Sequence, residues 1–455
     1  MACQLNSSGI NKIFVWGLFL LMAFFMLNGI TMVLNFTGLS VTIPIMMIMV
    51  FFMVYFWAKK KLQRDYFFLF FLLAHILYLA ISLFSLYLLQ QTHFSIDIPY
   101  QLRSIIYNLI IVYVFYRFVL GRLYQHKFHQ VIHLLFIAVA VGGILTLYSG
   151  LFGLYSVETK SLSDDPSKIV EERLSGVYAN PNLAGFVANI GLLLSLTLMF
   201  SKHIFPKIIG LAGIIFSIST AVATFSKTSL LQCGIIIIIF LITFLVRYTK
   251  IEKQTRRGIG VILLAILLLL VPLSVYLSSQ YDELTPFQQD RIEQLSQLVT
   301  EGKVDSDLTT NRSDAVADGL NLIANHPLMG NGFMSFLRLE NASGKTGEDI
   351  GIHNTFLLVL GDAGIFPFIV YVMFHLFCFI SFFKIRDTQL RFFAITLLIS
   401  TSFFNTTNHE ALANPLQAVI MGIFCALATY GYWTGNKENI PTPVKVTLVG
   451  ISETN

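Results

Sequence analysis

The chain has 455 residues, of which 55% are hydrophobic and only 12% are charged. Soluble domains carry about 25% charged residues, so this composition leaves too little polar surface for a soluble protein of this size. The net charge of +5 is spread over short loops and forms no basic patch, which argues against nucleic acid as a partner.

Apolar stretches of roughly 20 residues recur along the chain, each long enough to cross a hydrocarbon core of about 30 Å. Inside that core every backbone N–H must pair within its own segment, which favours helices. Runs such as Cys233–Leu245 do not alternate, which excludes a β-barrel. The sequence therefore predicts an all-α polytopic membrane protein with about twelve transmembrane helices.

The first predicted transmembrane helix is too long for a signal peptide and is expected to be retained. The spans are predicted at 13–34, 39–57, 66–90, 102–120, 130–153, 183–200, 207–225, 229–247, 259–278, 354–382 (broken near Gly361–Gly364), 391–405 and 413–433.

Positive residues are distributed unevenly between the loops on the two sides of the membrane. If the N-terminus is cytoplasmic, the loops after the even-numbered spans are all basic; they are 59–64, 122–127, 202–207, 247–257 and 384–391. The opposite loops are short, or long and acidic. Because Lys and Arg favour the cytoplasmic side, the sequence predicts that the acidic loops face the exterior.

The longest loop, Ser279–Ile352, is predicted to lie on the outer face of a single transmembrane domain that covers residues 1–455. Apolar residues recur at near-helical spacing in two of its segments, Phe287–Thr300 and Arg312–Ala324. Pro327 would end the second segment. We therefore expect two amphipathic helices on the outer surface.

Three cationic residues, Arg173, Lys227 and Arg312, lie near the predicted outer ends of spans. Lys227 occupies a tight turn between two apolar helices, where a cation is costly unless it meets an anion or snorkels to the interface. Snorkelling remains open for Lys227 considered alone. The three cations together indicate a site that binds a pyrophosphate without a metal.

A histidine and an asparagine, His353 and Asn354, begin the tenth predicted span. An imidazole titrates near pH 6.5, so His353 is predicted to act as general base toward a sugar hydroxyl. His409 and Glu410 form a second candidate acid/base or acceptor-binding pair, with Asn354 as a further polar group. The alternatives are a structural histidine at 353 and an ordinary polar turn at 409–410.

No metal site or cofactor is predicted from the remaining polar residues. The pattern Asp305–Asp307 resembles a metal-binding Asp-x-Asp motif, but such a short pattern is common by chance and here faces outward, away from nucleotide sugars. His75, His133 and His375 lie inside spans and are interpreted as packed or hydrogen-bonded. The four cysteines lie in apolar helices or at the terminus, so we expect no disulfide.

Four segments together resemble the bacterial O-antigen ligase and O-antigen (Wzy-type) polymerase superfamily. They are Arg173–Gly185, Thr224–Ser229, Asn311–Gly332 and Ile352–Ile365. The resemblance covers roughly residues 170–430 and rests on the order and spacing of the segments.

The resemblance implies a GT-C-like helical fold and an inverting, metal-independent transferase. Such enzymes move a glycan from undecaprenyl pyrophosphate to an acceptor hydroxyl outside the bacterial inner membrane. The resemblance assigns His353 as the base and Arg173 and Arg312 as pyrophosphate-binding residues. Lys227 stands where the family often has arginine, and lysine keeps the charge but loses the bidentate fork. The expected partners are the lipid-linked glycan donor, a glycan or lipid-linked acceptor, membrane lipids and a chain-length regulator protein.

Three functions remain open from the sequence. A polymerase joins lipid-linked repeat units to each other, as in O-antigen, capsule or exopolysaccharide synthesis. A ligase joins them to lipid A-core or to a protein, and the third function is a polysaccharide transporter or flippase. The compact outer loop, without an obvious acceptor domain, favours the polymerase. A transporter would show matched halves and ionisable groups near the membrane midplane, whereas here the halves differ.

Overall fold

The computed structural model of the chain describes residues 7–58, 65–89, 98–148, 174–178, 180–201, 203–248, 289, 293, 312–336, 354–408 and 412–435. Over these residues all regular elements are helices, which confirms the all-α fold. The helices are α1 (Ser7–Met26), α2 (Gly29–Thr37), α3 (Thr42–Ala58), α4 (Tyr66–Leu89), α5 (Ile98–Tyr124), α6 (Phe128–Leu147), a 3-10 turn (Gly176–Tyr178), α7 (Pro181–Leu198), α8 (Ile204–Ala223), α9 (Lys227–Tyr248), α10 (Arg312–Asn325), α11 (Thr355–Ala363), α12 (Ile365–Phe383), α13 (Thr388–Asn405) and α14 (Pro415–Gly435).

Eight of the described helices, α4–α9, α12 and α14, are long and apolar enough to cross a membrane, and α1 and α3 contain shorter apolar helices. Each predicted span coincides with a helix or a broken pair of helices, except 259–278, which lies outside the described residues. The chain is therefore an all-α polytopic membrane protein. Helix α10 matches the second predicted amphipathic helix, while the first lies outside the described residues apart from Gln289 and Glu293.

Two helices, α7 and α14, form the centre of the bundle, and almost every residue of each is buried. Helix α7 packs against α6, α8, α9 and α13, and α14 packs against α4, α5 and α12. The surrounding helices carry exposed apolar side chains such as Leu69 of α4 and Ile208 of α8. Such side chains suit contact with lipid tails, which are as apolar as leucine.

The first predicted span is divided into α1 and α2 at Asn28, which the hydropathy pattern did not predict. Asn28 adopts a left-handed conformation with φ of 51°, and asparagine tolerates this conformation better than most residues. Its side-chain amide donates to the carbonyl oxygen of Val177 at 3.2 Å. The break therefore connects the start of the chain to the 3-10 turn that precedes α7.

The tenth predicted span is broken at Gly364, as the sequence indicated. Gly364 has φ of 78° and ψ of −170°, and a Cβ atom there would lie 2.3 Å from the carbonyl oxygen of Leu328. The amide of Ile365, the first residue of α12, donates to the carbonyl oxygen of Pro327 at 3.0 Å. The segment 326–329, which follows α10, therefore packs against the break between α11 and α12.

A buried carboxylate, Asp362, holds the next part of this segment against α11. Its side chain is fully buried and accepts four hydrogen bonds of 2.8–3.0 Å. The donors are the hydroxyl groups of Tyr78 and Ser335 and the backbone amides of Met334 and Phe336. A buried charge is tolerated when hydrogen bonds replace water, so these four donors fix residues 334–336.

We predict that Asp362→Asn destabilises the fold by about 2 kcal/mol or more. The side-chain nitrogen of asparagine is a donor, so it could not accept the hydrogen bonds that a carboxylate oxygen of Asp362 now accepts. The free energy of unfolding in detergent, followed by denaturant titration, measures this change. Asp387→Asn is the matched control, since the exposed Asp387 accepts one bond from the amide of Leu390 and asparagine caps helices equally well. Equal losses in the two variants would contradict the role of Asp362.

Candidate active site

The segment before α7 forms a buried turn that begins this helix. Asn180 caps α7, because its side-chain oxygen accepts from the amides of Asn182 at 2.8 Å and Leu183 at 3.4 Å, and Pro181 occupies the first turn. Tyr178 is buried beside it, and its hydroxyl has no hydrogen-bond partner among the described residues. Burial raises the pKa of the Tyr178 phenol, which is therefore neutral.

The turn that carries Lys227 packs directly against the start of α7. The hydroxyl of Ser226, which is fully buried, donates to the side-chain oxygen of Asn182 at 2.8 Å. Lys227 is the first residue of α9 and is partly buried. A cation at a helix N-terminus opposes the helix dipole, so this position is unfavourable for lysine unless a negative group lies nearby.

A chain of buried amides extends this contact into the bundle. The side-chain amide of Asn189 donates to the hydroxyl oxygen of Ser229 at 3.0 Å and to the side-chain oxygen of Gln232 at 3.0 Å. The amide of Gln232 donates in turn to the carbonyl oxygen of Ser400 at 2.9 Å. These bonds connect α7, α9 and α13 and set their relative positions.

The end of α13 meets the start of α11 at the same end of the bundle. The backbone amide and the hydroxyl of Thr355 both donate to the carbonyl oxygen of Asn408, at 3.1 Å and 2.6 Å. Four residues before Asn408, the ring of Phe404 stacks on Phe186 of α7 with 4.2 Å between centroids. We call this end of the bundle, where α7, α9 and α11 begin, the motif end.

The predicted site residues are described to different extents. Arg173, His353, His409 and Glu410 lie outside the described residues, as does the side chain of Arg312, whose backbone begins α10. Asn354 is described and caps α11, since its side-chain oxygen accepts from the amides of Phe356 at 2.9 Å and Leu357 at 3.1 Å. Of the three predicted cations, Lys227 is therefore the one whose side chain lies in the described part of the structure.

The neighbours of the other candidates show what the motif end brings together. Asn354, next to His353, caps the helix that begins at Thr355, and Thr355 is hydrogen-bonded to Asn408, next to His409. Helix α10, which begins at Arg312, packs against α11. The flanks of His353 and His409 therefore meet at the motif end, while the catalytic roles of the side chains remain predictions.

Two buried amides at the motif end were missed by the sequence analysis as separate candidates. Asn405 ends α13 and Gln417 lies in the first turn of α14; both are fully buried. Neither amide has a hydrogen-bond partner among the described residues, which costs about 1–3 kcal/mol for each buried polar group. A polar residue near the end of an apolar helix was the signal that could have identified them.

Residue types that can bind a metal are scattered over the described part of the chain. In the part of the chain that the structure describes, no three His, Cys, Asp or Glu side chains are placed to hold a metal ion. The Asp305–Asp307 pattern lies outside the described residues. His75 and His375 are buried, and the ring Nδ1 of each lies within 3.0 Å of the carbonyl oxygen four residues earlier.

Comparison with protein families shows what the chain is similar to. The family model described as O-antigen ligase matches residues 212–372, about a third of the chain. Residues 212–372 are therefore similar to the O-antigen ligase family. This confirms the resemblance predicted from the sequence. The matched region includes the Lys227 turn, α10 and the start of α11, while the Arg173 segment precedes it. No curated protein matches the chain.

We predict that Thr355→Val lowers the free energy of unfolding by about 1 kcal/mol, because valine keeps the shape of threonine but removes the hydroxyl donor to Asn408. Denaturant titration of the purified chain measures the change. Thr434→Val is the matched control, since among the described residues the Thr434 hydroxyl bonds within α14, to the carbonyl oxygens of Tyr430 and Gly431. If both variants lose the same stability, the contact between α11 and Asn408 contributes nothing specific.

Proposed function

We propose that this protein is a membrane glycosyltransferase that polymerises undecaprenyl-pyrophosphate-linked oligosaccharide repeat units on the outer face of the bacterial inner membrane. The O-antigen ligase family match supports a lipid-linked glycan as substrate. The observation that carries the proposal is the convergence at the motif end, where Thr355 bonds to Asn408 and Ser226 bonds to Asn182. These bonds involve residues close in sequence to the predicted base His353, to His409 and to Lys227.

The proposed reaction is an inverting displacement at the anomeric carbon of the donor. The acceptor hydroxyl oxygen forms a bond to that carbon while the bond between the carbon and the pyrophosphate oxygen breaks. His353 takes the proton of the hydroxyl, and the pyrophosphate leaves with the bonding electron pair. Arg173, Lys227 and Arg312 neutralise the negative charge that develops on the leaving group.

The backbone at the motif end supports this electrostatic role. Helices α7, α9 and α11 all begin there, and each helix N-terminus carries a partial positive charge of roughly half an elementary charge. Phosphate groups are bound at helix N-termini in many proteins for this reason. Lys227 begins α9 at this end and adds a full positive charge to these partial charges.

A ligase is the second candidate, because the matching family is described as O-antigen ligase. The two functions share the donor, the base and the leaving group, and they differ in the acceptor. A ligase would use lipid A-core or a protein as acceptor, whereas the polymerase uses a second lipid-linked glycan. The chain-length regulator named above would be a partner of the polymerase.

We predict that His353→Ala lowers the rate of chain lengthening by about 100-fold or more, because general base catalysis contributes roughly 10²–10⁴ to a rate. The assay uses proteoliposomes supplied with undecaprenyl-pyrophosphate-linked repeat units as the sole glycan, and product length is measured by gel electrophoresis. His326→Gln is the matched control, an exposed histidine at the end of α10 that is expected to keep activity near wild type.

Each outcome of this assay separates the candidate functions. Longer chains from wild-type protein, without any lipid A-core, support the polymerase. Products that appear only after lipid A-core is added overturn the polymerase in favour of the ligase. Normal products from His353→Ala with altered flipping of the lipid-linked glycan would contradict the role of His353 and favour a transporter.

We predict that Lys227→Gln lowers kcat/KM about 10-fold or more, because glutamine carries no charge to bind the phosphate. Lys227→Arg should keep activity within a few-fold of wild type, because arginine keeps the positive charge and can also bind phosphate in a bidentate manner. The same lengthening assay measures both rates. Lys207→Gln is the control, since Lys207 lies in the first turn of α8 at the other end of the bundle. Wild-type activity of Lys227→Gln would show that Lys227 only snorkels to the interface.

A further inference from the structure

A groove lies on the outside of the bundle, at the end opposite the motif end. It has a volume of about 440 Å³ and lies between α4, α12 and α14; its lining includes Phe67, Phe70, Phe377, Ile380, Lys384 and Tyr432. Lys384 precedes the start of α13, the helix that ends at the motif end, so the groove and the motif end lie on opposite sides of the bundle. Phe377 and Ile380 are exposed, so the groove opens toward lipid. We call it the aromatic groove.

The polarity of the aromatic groove changes along its length. Within the helices, Phe70 and Phe377 face each other with 5.5 Å between ring centroids. At the helix ends, Tyr66 lies edge-on to Tyr432 with 6.2 Å between centroids, and the Nζ atom of Lys384 lies 5.4 Å from the centre of the Tyr432 ring. Tyrosine and lysine favour the membrane interface, whereas phenylalanine suits the hydrocarbon core. A molecule that fits this groove therefore has an apolar chain and a polar head.

The formal charge on the lining of the groove is positive. Lys384 is the charged residue of the lining and is exposed. The described carboxylates nearest to the groove in the sequence are engaged elsewhere. Asp65 is paired with Arg117 at 3.2 Å. Asp387 caps α13 and lines a separate cavity beside His133, which is exposed there and not packed inside its span as expected. The ammonium group of Lys384 is therefore the charge that a ligand in the groove would meet.

Helix ends near the groove add partial charges of both signs. Helix α4 begins there with partial positive charge, whereas α12 and α14 end there with partial negative charge. The three ends sum to about minus half an elementary charge, which the full charge of Lys384 exceeds. Arg386, two residues after Lys384, is also exposed. Positive charge therefore exceeds negative charge at the polar end of the groove, which favours an anionic head.

The cation over the Tyr432 ring narrows the choice of head further. A quaternary ammonium head, such as choline, binds to the faces of aromatic rings, but here the ammonium of Lys384 already faces the ring and would repel a second cation. A phosphate head without a cation would instead accept hydrogen bonds from Lys384. The groove volume also falls in the range of roughly 300–1,000 Å³ that is typical of ligand sites.

We propose that the aromatic groove binds an anionic phospholipid, with the headgroup phosphate at Lys384 and an acyl chain along Phe70, Phe377 and Ile380. This site lies away from the motif end and does not depend on the proposed transferase function. It is a specific lipid site, distinct from the general contact of the outer helices with lipid tails.

The first test uses the full-length wild-type chain in phosphatidylcholine nanodiscs. Trace phosphatidylglycerol or trace phosphatidylcholine, each with the same photoreactive diazirine in its acyl chain, is included, and mass spectrometry maps the crosslinked residues after illumination. Phosphatidylglycerol is expected to label residues 66–70 and 377–384 about five-fold more than phosphatidylcholine does, because a lysine near the membrane surface favours anionic lipid by about that factor. Both probes should label the lipid-facing Ile137 of α6 equally.

Two outcomes of this experiment would overturn the proposal. Equal labelling of the groove by both probes would show that it accepts any phospholipid without regard to charge. Absence of labelling in the groove, together with normal labelling at Ile137, would show that something other than a phospholipid covers it.

The charge of Lys384 is tested by Lys384→Gln in the same experiment. The preference of the groove for phosphatidylglycerol is expected to fall about five-fold, because glutamine carries no charge. Lys127→Gln is the matched control, since Lys127 is exposed at the start of α6, at the same end of the bundle but outside the groove. Equal falls in the two variants would assign the preference to general surface charge and overturn the proposal.

The position of the acyl chain is tested by Ile380→Trp, which fills the groove without changing its charge. Labelling of residues 66–70 by the phosphatidylglycerol probe is expected to fall at least about three-fold, because the indole would occupy the space of the chain. Ile369→Trp is the matched control, an exposed position on the same helix outside the groove. Unchanged labelling in Ile380→Trp would contradict the proposal, and if a variant does not fold, the comparison of the two probes on wild-type protein decides.

Discussion

The carboxylate of Asp362 is the group around which one end of the molecule is arranged. Four donors converge on it, and two of them are backbone amides of the segment that follows α10. The helix break at Gly364 lies two residues later and receives the backbone of Leu328. The carboxylate and the break together hold the end of the long loop against α11. Part of the family-like pattern between Pro327 and Gly332 is therefore explained by packing, not by chemistry.

Buried amides carry the same constraint into the centre of the bundle. Asn189, Gln232 and Ser400 lie on three different helices, and their hydrogen bonds form only when those helices have one relative position. Van der Waals packing between apolar helices is less specific, because many sliding positions bury similar surface. In a lipid environment, interhelical hydrogen bonds of this kind contribute about 0.6–2 kcal/mol each. Their value here is that they align the starts of α7 and α9 with the end of α13.

Hydropathy predicted most of the fold because the bilayer fixes both the length and the secondary structure of a span. It failed at Asn28, since the break there depends on a hydrogen bond to Val177, which is distant in sequence. The sequence also identified the Lys227 turn and Asn354 as important. It could not predict that Ser226 bonds to Asn182, because such pairing is set by tertiary packing. The position of Gln417 near the end of an apolar helix could have been noticed, but its lack of a hydrogen-bond partner among the described residues depends on tertiary packing.

The two ends of the bundle differ in their side chains more than in their backbone electrostatics. Helices that cross a membrane in turn place successive N-termini at opposite ends, so α7, α9 and α11 begin at the motif end, and α6, α8 and α13 begin at the other end. Because further helices end on each side, partial positive and partial negative backbone charges are present at both ends. Side chains therefore decide what each end can do. The motif end adds Lys227 and buried amides in a closely packed frame, and a fixed frame of this kind suits chemistry on a positioned substrate.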